Sequence, residues 1–238
     1  MTGTHGSEGP TITYTHPDVL TTGVRDGWAD PETDPTEIDW PTRQARAGIR
    51  FEVVDDRPLN PCRDRYPTGI RHGRNQLGHW GEALAADAFV TAIDEHGRRW
   101  LVMVERMDGH GWALPGGYVN PDEVPLDAAV RELTEETGLD LSRLRWEALP
   151  ARYVPDPRAS DEAWMVTMPA RCYLGTVRRA DLPIPAAADD AARAEWVRAD
   201  TYPLLATYVE ATYGGKVFAA HQDMLTELLA DNRAPHLP

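Results

Sequence analysis

Apolar residues gather into short periodic runs from about Leu84 onward and are sparser and more irregular before that point. Ala86 to Ile93 is apolar and β-compatible, Asp94-Glu95-His96-Gly97 supplies a turn, and Trp100 to Glu105 reads as a second strand, so a hairpin is predicted. After a turn at Gly109 to Gly111, the segment from Pro125 to Thr137 changes to helical spacing and stops at Gly138, a residue type suited to a helix C-terminus. With Glu132 set to zero and about 100° per residue, Leu126, Ala129, Val130 and Leu133 fall between about +60° and +160°. That arc is the face expected to pack on a sheet. Further strands are expected at Ala148 to Val154, Trp164 to Leu174 and Ala194 to Arg198, and two helices near Thr201 to Tyr213 and Val217 to Asp231. Strands interleaved with few helices predict an α/β protein of the α+β kind, a mixed β-sheet sandwiched between helices.

The first 80 or so residues are rich in Pro, Asp, Thr and Gly, with short apolar pieces such as Ile49 to Val54 between turn signals. They are expected to form a loop-rich accessory or cap region, 1–80, ahead of a catalytic domain over 81–234, and the final APHLP to be a loose end. A chain of 238 residues accommodates one main core plus such a region. No apolar run approaches the ~20 residues that cross a bilayer, and the start lacks the pattern of a secretory leader, so a cytoplasmic protein without membrane contact is expected. Cys62 and Cys172, the two cysteines, have no zinc-site or disulfide spacing and are read as reduced and structural. The net charge of −14 argues against nucleic-acid binding, which needs a basic face. A small phosphorylated ligand is still compatible, because cations and a few placed arginines can reverse the local field.

Chemistry concentrates on the helix after Gly117. On the same wheel Glu135 falls near −60° and Glu136 near +40°, so with Glu132 three carboxylates share a narrow arc beside the apolar face. Such crowding is unfavourable without cations, and hard oxygen ligands suit Mg2+, with Mn2+ as a substitute. Gly116-Gly117 lets a loop approach the helix closely and can offer the Gly117 backbone carbonyl to the same cation. The plainer alternative is a solvated acidic face in which Arg131 pairs with Glu135. It leaves the paired glycines, Glu123 and the Arg131 spacing unexplained.

From Gly117 the sequence runs Gly, five residues, Glu123, seven residues, then Arg131-Glu132-Leu133-Thr134-Glu135-Glu136-Thr137-Gly138-Leu139. This resembles the Nudix box, GX5EX7REUXEEXGU with U aliphatic, at every specified position. The resemblance implies the Nudix fold and cation-assisted attack of water on a diphosphate. It implies Gly117, Glu132, Glu135 and Glu136 as metal ligands and Glu132 and Glu135 as catalytic residues, Glu132 being the first choice of base and Glu162 an outside one. Arg131 and Glu123 are expected to hold loop and helix in place.

Flanking segments narrow the resemblance to the ADP-ribose pyrophosphatase family that includes the mitochondrial enzyme and the cytosolic domain of an ADP-ribose-gated TRP channel. They are RPLNP at Arg57 to Pro61, Thr68-Gly69, Gly73-Arg74, LGHWG at Leu77 to Gly81, AAD at Ala85 to Asp87 and YVPDPRASDEAWM at Tyr153 to Met165. Asp189-Asp190-Ala191, Glu195-Trp196-Val197, FAAH at Phe218 to His221 and, more weakly, GWADP at Gly27 to Pro31 extend the likeness over nearly the whole chain. By this resemblance Asp156 and Arg158 would contact ribose and phosphate, and Phe218 and His221 would line the terminal-ribose or phosphate end. Phe51 offers an aromatic face for adenine, against the plainer reading of a core phenylalanine. Pro155, Glu162 and Phe218 stand where the family pattern has Asp, Asn and Tyr, and loss of the tyrosine hydroxyl changes one polar contact in the pocket.

The implied reaction is hydrolysis of ADP-ribose to AMP and ribose 5-phosphate, with a small nucleotide as the partner. Two alternatives stay open: a non-hydrolysing ADP-ribose sensor, and a Nudix hydrolase of another nucleotide such as a nucleotide sugar. The oligomeric state is not legible.

Overall fold

The computed structural model describes residues 12–231. The expected loose end at 234–238 and the chain start inspected for a leader lie outside the described residues, the latter in part. Two compact units result, one made of the chain up to Ala83 with Pro155–Val166, the other of Leu84–Val154 with the chain from Thr167 onward.

In the first unit β1 (Ile12–Thr15), α1 (Val24–Asp26), α2 (Trp40–Arg46), β2 (Glu52–Val54), β3 (Arg57–Leu59) and β4 (Ile70–Asn75) follow one another. The expected loop-rich region thus carries short elements throughout. β2 and β3 form a hairpin whose two turn residues, Asp55 and Asp56, have φ of 51° and 57°. That is the doubly left-handed turn that two-residue hairpins favour, and aspartate tolerates it. β1 pairs with β4 in parallel. Asp30 ties several segments together: its carboxylate accepts from Arg43 Nη2 (2.7 Å), His79 Nδ1 (2.9 Å) and the Trp80 amide (2.9 Å). Burial alone would raise its pKa, but His79 and Arg43 outweigh that and bring it down to about 2. Beside it the fully buried Arg74 donates through Nη1 to the carbonyls of Asp30 (2.7 Å) and Gly78 (2.8 Å), its guanidinium over the Trp80 ring.

The second unit is built on a mixed sheet. β5 (Gly81–Ile93) enters it at Leu84, followed by β6 (Arg99–Arg106), β7 (Trp112–Ala113), β8 (Gly116–Tyr118), α3 (Pro125–Thr137), β9 (Trp146–Ala148) and β10 (Arg152–Val154). β11 (Ala163–Thr167) starts in the first unit, and β12 (Ala170–Thr176), β13 (Ala191–Arg198), α4 (Tyr202–Tyr213) and α5 (Gln222–Ala230) complete the second. Across the sheet β9 pairs antiparallel with β12, β12 parallel with β5, β5 antiparallel with β6, and β6 antiparallel with β13. Successive side chains point to opposite faces. Val102, Val90 and Ala88 therefore pack with Ala128, Ala129 and Leu133 of α3, whereas Leu101, Met103 and Phe89 pack with Leu205, Val209, Leu225 and Leu229 of α4 and α5. The sheet is sandwiched between helices, as its sequence pattern predicts.

Three expected elements differ. The strand over Ala148 to Val154 is two strands separated around Pro150, and that over Trp164 to Leu174 is two separated at Met168-Pro169; proline withholds the N–H a continuous ladder needs. The helix expected from Val217 begins only after a 3-10 turn at Ala219–His221. Phe218 instead donates its amide to Trp112 O (2.7 Å), and Val217 bridges Trp112 as a short strand would.

Candidate functional site

α3 is the frame of the acidic cluster. Pro125 fits its first turn, where an N–H has no helical partner, and Gly138 ends it at φ 68°. The apolar arc is shifted from the wheel: Ala128, Ala129, Leu133 and Thr137 are buried, while Leu126 and Val130 are partly exposed. Glu136 is buried as well, Glu132 is partly buried and Glu135 is the most exposed of the three.

Arg131 is the counter-charge of this cluster. Its Nε and Nη2 fork onto Glu123 (2.8 and 2.9 Å), Nη1 donates to Glu132 Oε1 (2.7 Å) and Glu135 Oε2 (2.8 Å), and Nη2 reaches Tyr118 O (3.1 Å). Glu123 is fixed in turn by the Asn120 amide and side chain. The loop before α3 is thus tied to the helix through one guanidinium, whose pKa is raised first by Glu123.

β8 closes on the cluster from the sheet side. A Cβ on Gly117 would lie 2.4 Å from Glu132 Oε1, and one on Gly116 would lie 2.4 Å from Asp87 Oδ1 and 2.6 Å from the Ala86 carbonyl. Neither glycine has positive φ among the described residues, so close approach, and not backbone conformation, demands glycine here. The Gly116 amide donates to Glu136 Oε2 (3.0 Å). Burial, followed by the adjacent Asp190 carboxyl, pushes Glu136 up to about 9, and burial also raises Glu132.

Asp190 was not singled out from sequence, though it lies in a segment of family likeness. The loop before β13 delivers it: Ala186 N–H donates to Thr137 O (2.8 Å) and Ala188 N–H to Glu136 O (3.1 Å), docking the loop on the end of α3. Asp189 follows with φ 54°, which turns the chain into β13. Asp87 is a second addition, brought beside Gly116 by the β5–β8 register. Loop docking brings Asp190 and strand pairing brings Asp87 to the box, and local spacing encodes neither.

Phe218 and His221 lie in the same unit, both buried, with ring centroids 5.1 Å apart. The Leu114 amide donates to His221 Nδ1 (3.4 Å), which leaves the ring proton on Nε2, 3.9 Å from Asp87 Oδ1. Arg106 sits over the Phe218 ring, 5.2 Å from its centroid, and forks onto Asp108.

Asp156, Arg158 and Phe51 lie in the first unit. Arg158 Nε and Nη2 grip the buried Asp156 carboxylate (3.0 and 2.6 Å). Phe51 is buried edge-on between Trp40 and Trp164, at 6.2 and 5.0 Å between centroids, which is the packing of a core phenylalanine. Glu162 is also buried and accepts from Arg57 Nε (2.5 Å) and Nη2 (2.9 Å), His72 Nδ1 (2.9 Å) and the Gly73 amide (2.8 Å). Burial raises its pKa, but Arg57, His72 and Gly73 prevail and lower it. So engaged, it is an anchor of its unit and poorly suited to accept a proton.

Among the described residues no three His, Cys, Asp or Glu side chains stand together in ligating geometry. Glu132 and Glu135 face Arg131, and Glu136 faces Gly116 and Asp190. The chemistry of the set nevertheless fits a hard divalent cation, since all its donors are oxygens and its carboxylates are crowded.

Residues 83–214 match the model of the NUDIX domain, and the chain belongs to the Nudix family. A Caenorhabditis elegans protein classed by name among the nudix hydrolases is 33% identical, with 76% of this chain and 75% of that protein covered. The mitochondrial ADP-ribose pyrophosphatase of Rattus norvegicus is 28% identical over 88% of this chain and 65% of its own length. A transient receptor potential cation channel of Nematostella vectensis, subfamily M member-like 2, is 31% identical over 83% of this chain but only 15% of the channel. No helix among the described residues is long and apolar enough to cross a membrane.

Proposed function

We propose that this chain hydrolyses ADP-ribose to AMP and ribose 5-phosphate with magnesium, or manganese in its place. The observation that carries the reading is the complete acidic set, Glu132, Glu135 and Glu136, on one helix under a glycine pair that admits no side chain. The name of the rat relative supports ADP-ribose as the substrate.

In this reading Glu132, Glu135, Glu136 and the Gly117 carbonyl hold the cation, with Asp190 adjoining them. When bound, such a cation would supply Lewis-acid charge at the diphosphate oxygens and lower the pKa of water near it. Glu132 accepts the proton of the attacking water, and Glu135 assists. Arg131 keeps the carboxylates in register from outside the reacting atoms. Asp156 and Arg158 take ribose and phosphate, where the guanidinium fork matches two oxygens; Phe218 and His221 take the terminal ribose or phosphate.

A sensor that binds without cleaving is disfavoured, because it has no need of the full acidic set. The test is incubation of the protein with ADP-ribose and magnesium, products separated by chromatography. AMP and ribose 5-phosphate in equal amounts are expected, and intact ligand after prolonged incubation refutes hydrolysis. A panel of nucleotide sugars and other dinucleotides compared by kcat/KM decides the substrate; a higher value for any of them displaces ADP-ribose.

A further inference from the structure

The Asp156–Arg158 turn owes its shape to residues far away in the sequence. Asn75, the last residue of β4, is 7% exposed and has φ 51°, a left-handed conformation that most side chains avoid and asparagine tolerates. Its Nδ2 donates to the carbonyls of Pro157 (3.3 Å) and Ala159 (2.9 Å), and the next amide, that of Gln76, donates to Arg158 O (3.2 Å). Three successive carbonyls are therefore held by two successive residues. The turn closes on itself through the Arg158 amide to Asp156 Oδ1 (2.8 Å) and the Ala159 amide to Asp156 O (3.1 Å). Asn75 is fixed from its other side, because the His16 amide donates to its carbonyl (2.6 Å).

We infer that Asn75 is a positioning residue for substrate recognition: it holds the backbone from which Arg158 meets the diphosphate. A glycine would supply the backbone conformation but no donor, and most other side chains would supply neither. The inference rests on the reading that Arg158 contacts substrate. It assigns Asn75 an effect on KM, because a turn that binds substrate equally in ground and transition states changes affinity and leaves kcat alone.

The experiment is a double-mutant cycle on the full chain with ADP-ribose and magnesium, using Asn75→Gly, Arg158→Ala and the pair. Asn75→Gly is expected to raise KM about tenfold with kcat within about twofold, since small misplacements of a binding group are costly. In the Arg158→Ala background it is expected to add less than about twofold, because a residue acting through Arg158 has nothing left to position. If KM is unchanged in Asn75→Gly while Arg158→Ala raises it, the inference falls and the reading of Arg158 stands. Effects that multiply in the double variant also overturn it, as does an equal fall in kcat. If Arg158→Ala leaves KM unchanged, the reading of Arg158 falls and the inference with it. Should Asn75→Gly not give folded protein, Asn75→Asp keeps size and tolerance of positive φ and must show the same KM effect and the same lack of additivity.

Discussion

The acidic helix and the Asp156–Arg158 turn handle charge in opposite ways. On α3 and its loop, Glu123, Glu132 and Glu135 are held by the single Arg131. At the turn, Arg158 is gripped by Asp156, and the backbone carbonyls of Pro157 and Ala159 are held by one side chain, Asn75, 82 and 84 positions away in sequence. The first arrangement is close in sequence and carries an excess of negative charge. The second is assembled from distant segments and pairs its cation with a buried carboxylate. Chemistry is expected to depend on the one, affinity and stability on the other.

The largest effect that could break this division is at Glu132. Glu132→Gln is expected to lower kcat on the order of 10³-fold, the scale of losing one group that stabilises developing charge. ADP-ribose binding measured by calorimetry should change little. Turnover near that of the native chain would take Glu132 out of the reacting centre.

A smaller effect sharpens the same point. In Gly117→Ala the new Cβ meets the mobile end of the Glu132 side chain, whereas in Gly116→Ala it also meets the Ala86 carbonyl, which cannot swing away. Gly117→Ala is thus expected to lower kcat by about 10- to 100-fold with almost unchanged thermal stability, through displacement of a catalytic group. Gly116→Ala should destabilise the fold by about 1 to 3 kcal/mol. Equal thermal midpoints for the two variants would refute the distinction.

The contrast also explains what could be read in advance. The box, the span of its helix and the sandwiched sheet were legible because their determinants are local: helical spacing, an alternating strand pattern and a glycine stop. The breaks at Pro150 and Pro169 were equally local but hidden inside apolar runs. Asp190, Asp87 and Asn75 had no such signal, since each acquires its neighbours only through strand register or a left-handed residue. Several flanking motifs of family likeness prove to be scaffold: Asp30 of GWADP, Arg74 and Gly78 interlock in one unit.

In the first unit, stability is the expected readout. Glu162→Gln removes the charge that pairs with the partly exposed Arg57 and leaves an amide among donors, so a loss of about 2 kcal/mol is expected. Denaturant unfolding measures it. The kcat of the folded variant at saturating substrate should stay within about twofold; a collapse of kcat with stability intact would return Glu162 to the chemistry.

The smallest effect concerns acid. Asp30 is held at about 2 against an ordinary 3.8, so its carboxylate stabilises the folded state fully above pH 3.8, and that contribution is lost as the pH falls from there towards 2. The contribution is about 2 kcal/mol at most. The acidic helix does not share this sign, because burial holds Glu132 and Glu136 above the usual range. Asp30→Asn should therefore be less stable than the native chain at pH 6, and the gap should narrow as the pH drops towards 2. The Asp30 ion pairs would then be the acid-labile element of the unit that carries Arg158. Parallel thermal midpoints for the two proteins across that range would show instead that Asp30 has the same pKa folded and unfolded, and that His79 and Arg43 contribute geometry without charge.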